Sequence, residues 1–332
     1  MGSVTIQDIA KLAGCAPGTV SRALNNRKGI RKETRERIAQ LAESLGYQPN
    51  LIAQSLVSRQ THSIALIIPD ISLSILNSIA RAADQYLFER QYNLILCNTG
   101  FSMEQERRKL SYVQQRKVDG IIIRPTGNDL DDLAQMRIPT VLISHTYSGP
   151  LSYIDIENET AGYLATRHLL ECGYRKIAFI GGSDLNHVQL RINGYARALR
   201  EFGLEADGRH IWHGGYSLMD GYQAATHFFS LDDRPDSVFC CSDYLAFGAY
   251  RKAQELGIPV PDAFGIVGFN DDEMAAWPQF NLTTIRQPAD HIGMLAAKML
   301  LEQIEAGPEA IPKKIQLYPQ LITRGTTSQK GS

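Results

Sequence analysis

The sequence predicts an α/β protein in which a small all-α head of helix-turn-helix type precedes a larger two-lobed body built on parallel sheets. Three observations point there. The first fifty residues carry short apolar stripes at helical spacing, the chain from Ser63 alternates twice between apolar runs and amphipathic stretches, and charge is divided unevenly between the two parts.

In the head, Thr5 has the side chain of an N-cap and Asp8 falls in the first turn of a helix that runs into the corner Gly14-Cys15-Ala16. Pro17 is pre-set for the first turn of a second helix, where Val20 and Leu24 lie one above the other at i, i+4. With those groups turned inward, the opposite face of the second helix is left for the major groove of DNA. A third helix over about 32–45 shows Ile38, Leu41 and Leu45 on one stripe and stops at Gly46.

Charge separates this head from an ordinary three-helix bundle. Residues 1–60 hold nine Lys/Arg against four Asp/Glu, a net of +5, which leaves 25 basic and 31 acidic residues in the remainder, a net of −6. A near-neutral chain thus divides into a basic head, suited to phosphates, and an acidic body.

From Ser63, the body begins with the apolar run Ile64-Ala65-Leu66-Ile67-Ile68, closed by Pro69, and a helical stretch to Glu89. Strands at 93–97, 120–123 and 140–143 follow, with a helix over 104–115. A second series starts at Gly162, with helices to 170, over 190–202 and to 256, and strands at 177–180, 237–241 and 265–269. Strands apolar on both faces and alternating with helices imply parallel sheets covered on both sides. Ligands of such sheets bind beyond the carboxyl ends of the strands, so a cleft between the lobes is the expected site.

At 332 residues and 44% hydrophobic content the chain suits two or more packed domains. No signal-peptide stretch precedes the first helix and no run approaches about 18 apolar residues, so a cytoplasmic protein without membrane contact is expected. The five cysteines are scattered, without paired spacing, and read as reduced structural thiols. No cofactor or metal is implied.

Four stretches together resemble the LacI/GalR family of bacterial transcription regulators over nearly the whole chain. They are the head motif Thr5-Ile6-Gln7-Asp8-Ile9-Ala10 with Thr19-Val20-Ser21-Arg22-Ala23-Leu24-Asn25, the segment Gly46-Tyr47-Gln48-Pro49-Asn50 leading to Ala53-Gln54-Ser55-Leu56, the run Cys241 to Gly248, and Gly268-Phe269-Asn270-Asp271 with Leu282-Thr283-Thr284-Ile285. The resemblance implies a head at 1–49, a hinge helix and linker at 50–60, a periplasmic-binding-protein-like N-terminal lobe at 61–157 and 287–317, and a C-terminal lobe at 158–286 and 318–327. Residues 328–332 are expected to be a disordered tail.

It also implies a homodimer on a pseudo-palindromic operator, read by positions 17, 18 and 22. Pro17 and Gly18 offer no side-chain hydrogen bonds, which leaves Arg22 to read guanine. Thr5, Thr19, Ser21, Asn25 and Tyr47 are the expected phosphate contacts. The hinge is too short to be a stable helix alone and would fold when two copies meet on DNA, with Ala53 in contact and Leu56 wedged into the minor groove. An effector that moves the lobes would switch operator affinity through this hinge.

For the effector, the resemblance points to Arg124, Ser144, Arg191, Tyr216, Ser242 and Asn270. Neutral Ser144 and Asn270 stand where carboxylates are common, and two arginines face the cleft, so a sugar acid or similar small carboxylate is expected, with a neutral sugar as the alternative. The loop Ile71 to Leu76 is more apolar than is usual in the family. Asp243 and Asp271 read as structural.

An enzyme is disfavoured, because the chain has no P-loop, dinucleotide-binding fingerprint, nucleophile elbow or metal-spaced His pair. His145 and His187 read as surface or pocket polar groups. The remaining alternative, a periplasmic-type solute-binding protein without DNA binding, needs neither the basic head nor its motif. No apolar heptad tail follows Arg324, which favours a dimer over a tetramer.

Overall fold

The structure is a computed structural model that describes residues 4–24, 29–47, 60–182 and 186–330. It divides into two compact units, Met1–Thr61 and His62–Ser332. The predicted hinge residues Ala53 and Leu56, with Asn25, lie outside the described residues.

The first unit is a three-helix cluster of α1 (Ile6–Ala13), α2 (Pro17–Leu24) and α3 (Lys32–Ser44). Thr5 and Asp8 close a capping box: the Asp8 carboxylate accepts from the Thr5 backbone N–H at 2.9 Å, and the Thr5 hydroxyl oxygen accepts from the Asp8 N–H at 3.4 Å. Gly14, at φ 62°, ends α1 in the left-handed region that a side chain would resist. Ile9, Val20 and Ile38 are fully buried between the helices, and Arg37 donates to the Ala13 carbonyl at 3.0 Å, placing a cation at the C-terminal end of α1.

The second unit holds two six-stranded sheets. The first comprises β1 (Ser63–Ile68), β2 (Asn93–Asn98), β3 (Gly120–Ile123), β4 (Thr140–Ile143), β5 (Ser152–Ile156) and β11 (Lys314–Leu317), in the order β11-β5-β4-β3-β1-β2 and parallel throughout. Ile64, Leu66 and Ile68 belong to one apolar cluster and Ala65 and Ile67 to another, so β1 is buried on both faces. Helices α4 (Ser74–Phe88), α5 (Met103–Gln115) and α6 (Asp131–Gln135) connect these strands.

The second sheet comprises β6 (Ile177–Gly181), β7 (Ile211–His213), β8 (Ser237–Cys240), β9 (Gly265–Asn270), β10 (Thr283–Arg286) and β12 (Gln320–Ile322), ordered β12-β10-β9-β8-β6-β7. Only the β10–β12 pairing is antiparallel. Its helices are α7 (Asn158–Glu171), α8 (Asn186–Glu201), α9 (Leu218–Ser230) and α10 (Asp243–Glu255), while α11 (Ala289–Ala306) returns to pack on α4 and the first sheet. The chain therefore crosses between sheets three times, after β5, after β10 and after β11.

Glycine brings the helices of each pair together. A Cβ on Gly194 of α8 would stand 1.9 Å from the Glu159 carbonyl of α7, and one on Gly162 would meet the Arg191 carbonyl at 2.1 Å. Gly221 and Gly248 do the same for α9 and α10.

Three sequence expectations need correction. Helix α7 begins at Asn158 rather than Gly162, and α8 at Asn186 rather than near 190: the buried Asn158, bonded to Asp155, and the buried His187 and Val188 extend the two helices by a turn. Strands β5, β7, β10, β11 and β12 give no separate sign in the sequence: they are short, or carry buried polar residues such as Asp155 and Thr283. The tail expected to be disordered over 328–332 is packed as far as Lys330, whose N–H donates to the Cys172 carbonyl at 2.7 Å and whose ammonium sits 4.3 Å from the centre of the Tyr174 ring. Among the described residues no helix is long and apolar enough to cross a membrane.

Candidate effector site and nucleic-acid interface

In the head, the packing of Val20 and Ala23 inward turns Pro17, Gly18 and Arg22 to solvent on the other face of α2. Thr19 and Ser21 flank that face half-buried, and Tyr47 packs against the head core. Thr5 lies exposed at the start of α1, where its hydroxyl donates to the Asp8 carboxylate at 2.7 Å.

In the body, Arg124, Ser144, Arg191, Tyr216, Ser242 and Asn270 all line one cavity of about 60 Å³. The strands deliver them. Arg124, Ser144 and Ser242 follow the carboxyl ends of β3, β4 and β8, Asn270 ends β9, and Arg191 stands on α8. Ser144 and Asn270 have φ of 50° and 110°, the left-handed conformation that lets a chain leaving a strand turn sharply. The ring of Tyr216 lies where a Cβ on Gly182 would be, at 2.0 Å, so only glycine there permits the tyrosine its place.

The two arginines differ. Arg191 is held at its Nε by the Asn158 Oδ1 at 2.9 Å and at its Nη1 by the Cys241 carbonyl at 3.2 Å, with the guanidinium 3.6 Å from the centre of the Phe269 ring. Arg124 is 9% exposed, and among the described residues its guanidinium has no hydrogen-bond partner; its Nη1 is wholly buried. Burial pushes its pKa down, while Tyr216 and Asp155 act against that.

Several lining residues carry no sign of this role in the sequence. Asp155, in the apolar run of β5, accepts from the Ile156 N–H at 2.8 Å and from the Asn158 amide at 3.1 Å. Burial raises its carboxyl to about 6, against those bonds and the nearby arginines. The cleft expected to be positive thus also contains one acid.

His187 stands one helical turn before Arg191, a spacing that could have flagged it. Burial, then Arg191, Arg124 and His145, hold it well below the usual histidine range, so it is neutral; its Nε2 lies 3.3 Å from the Tyr216 hydroxyl and its Nδ1 is buried without a partner. Burial and Arg124 likewise depress His145 to about 4. Phe101, 39% exposed at the mouth, is stacked on Tyr216 with centroids 6.2 Å apart and planes 11° apart.

Asp243 and Asp271 are structural in the geometry. Asp243 accepts from the Thr284 hydroxyl and the Asp272 N–H, each at 2.6 Å, and burial raises it to about 7; Asp271 pairs with Arg286 and Arg324 at 2.6 and 2.7 Å. Asp207, the buried His210 and Asp233 come together, but Arg209 and Lys176 already neutralise the two carboxylates.

A basic helix-turn-helix unit joined to a two-lobed α/β body with a polar cavity at the strand ends defines a ligand-responsive DNA-binding regulator. The sequence profile of the bacterial regulatory proteins of the lacI family matches residues 5–50, and that of the periplasmic binding protein-like domain matches 166–327. The chain is 31% identical over 337 residues to the HTH-type transcriptional repressor PurR of Vibrio vulnificus, covering 98% of this chain and 99% of that one. It is 31% identical over 327 residues to catabolite control protein A of Priestia megaterium, covering 96% and 98%. Among solved structures, the lac repressor dimer bound to operator and the anti-inducer ONPF superimposes with a TM-score of 0.89 at 24% identity, over 98% of this chain and all of that one. A complex of the regulator CelR with cellobiose gives 0.73 at 27% identity, over 97% and 99%.

The chain belongs to the lacI family of bacterial regulatory proteins. It is a DNA-binding transcriptional regulator of the repressor type, not an enzyme.

Proposed function

We propose that this regulator represses an operon for the use of a carbohydrate or sugar acid, and that a small anion bound between the lobes switches its operator affinity. The observation that carries the anion is Arg124. A guanidinium buried without a partner is costly, and an anion supplies the charge-assisted bonds it lacks. Arg191, Tyr216, Ser144, Ser242 and Asn270 complete the site, with Asp155 as an acceptor for a ligand hydroxyl. Carbohydrate chemistry is supported by two neighbours: the CelR structure holds cellobiose, and a regulator from Enterococcus faecium, with a TM-score of 0.73 at 27% identity, holds ribose.

On DNA, Arg22 reads a guanine in each half of a pseudo-palindromic operator while Thr19, Ser21 and Tyr47 touch phosphates. Segments 61–157 and 287–317 act as one lobe and 158–286 and 318–327 as the other; a shift between them, passed through residues 50–60, changes how two heads meet their half-sites. The experiment is operator-fragment binding by the purified dimer at fixed salt, with panels of sugar acids, neutral sugars and sugar phosphates. Release or tightening by an anionic compound supports the reading; a response to uncharged sugars alone overturns the anion.

A further inference from the structure

The wall of the effector cavity is apolar on one side to a degree that a polyhydroxylated ligand does not require. Leu73, Ile75 and Leu76, from the loop and start of α4, face it together with the rings of Phe101 and Tyr216. A sugar acid presents hydroxyls around its whole circumference, and each one buried needs an acceptor.

Each of the acceptors Asp155, Asn270 and Ser242 already takes protein hydrogen bonds and has only part of its capacity left for a ligand. Both Asp155 oxygens take protein hydrogen bonds, the Asn270 Oδ1 accepts from the Gln287 amide at 2.6 Å, and the Ser242 hydroxyl oxygen accepts from the Leu245 N–H at 3.2 Å as the cap of α10. Arg191 is engaged at two of its nitrogens. Two buried nitrogens of lining residues have no partner among the described residues, the Nη1 of Arg124 and the Nδ1 of His187.

We infer that, within the class of small anions proposed above, the effector is a carboxylate with a compact and largely apolar body, an aromatic or short branched acid bearing few hydroxyls. Its carboxylate meets Arg124 with the Nδ1–H of His187 as a second donor, a tautomer that Tyr216 fixes by donating its hydroxyl proton to Nε2. Its body lies against Leu73, Ile75 and Phe101. A cavity of about 60 Å³ favours a small, flat body over a bulky one. This rests on the anion reading above and narrows it.

The test is thermal shift and titration calorimetry on the full-length protein with three probe groups: 4-hydroxybenzoate, phenylacetate and 2-hydroxy-4-methylpentanoate; gluconate and glucuronate; glucose and ribose. The expected result is stabilisation by a member of the first group, weakened about tenfold or more by Arg124→Gln and by the mouth substitution Phe101→Ser, which sits too near solvent to unfold the chain. 4-Hydroxybenzamide, which lacks the charge, should fail to bind. Binding of gluconate or glucuronate alone overturns the apolar body and keeps the anion. Binding of the neutral sugars alone overturns both, and silence from every carboxylate does the same.

Discussion

The Arg191 Nε donates to the Asn158 Oδ1 at 2.9 Å, and the Asn158 amide donates in turn to the Asp155 Oδ2 at 3.1 Å. Asn158 stands at the first crossing between the lobes, so a single amide holds the cavity arginine of one lobe and the cavity acid of the other. Asn158→Ala removes both bonds. The expected cost is about 1–3 kcal/mol of stability, seen as a lower melting temperature, together with effector affinity weaker by about tenfold. A variant that loses stability but binds effector normally would show that Arg191 needs no such clamp.

The pH dependence of effector binding follows from Asp155. Its carboxyl is raised to about 6, while His145, depressed to about 4, and His187, held well below its usual range, stay neutral above that. An anion placed in the same cavity raises Asp155 further, so binding takes up protons and tightens as pH falls from about 8 towards about 6. Asp155→Asn should flatten that dependence, read by calorimetry across the range. The native state also holds a proton on Asp155 that the unfolded chain has released between about pH 4 and 6, so this group's contribution to stability falls as pH rises through that window. The asparagine variant should therefore gain stability relative to the parent, by about 3 kcal/mol or less, between pH 4 and 7.

Arg22 stands exposed on α2 beside two residues with no side-chain hydrogen bonds to offer. Arg22→Lys keeps the charge and loses the paired fork. Operator binding should then weaken by about 1–3 kcal/mol, with discrimination lost at one base pair of each half-site and the salt dependence unchanged. Uniform weakening on all sequences would make Arg22 a phosphate contact instead.

Gly194→Ala tests the approach of α7 and α8. The added Cβ would meet the Glu159 carbonyl at 1.9 Å and the Tyr163 nitrogen at 2.6 Å, both backbone atoms that cannot swing aside. Separating the helices should cost about 3 kcal/mol or more, measured by denaturant unfolding, while Gly208→Ala, with open space at its Cβ, should be close to neutral.

The sequence made the long apolar runs of β1, β3 and β6 legible because each is buried on both faces, and it made the head legible through Thr5, Pro17 and Gly46, whose chemistry is tied to helix ends. Its family motifs led to six positions that line one cavity. Asp155 and Phe101 were not legible: the acid in Tyr153-Ile154-Asp155-Ile156 lies in a short strand that no apolar run marks, and Phe101 follows β2 with no periodicity to mark it. Asn158 was hidden for a related reason. Its burial depends on a partner 33 residues away on α8, a contact no local pattern encodes.

The returning elements α11 and β11 have a consequence during synthesis. Every other element of the first lobe is made by residue 157, yet the helix that covers Ile79 on α4 and the strand that borders β5 come after most of the second lobe has been made. An unfinished chain therefore carries a complete DNA-reading head on a lobe whose apolar side is bare, a state prone to aggregation and degradation.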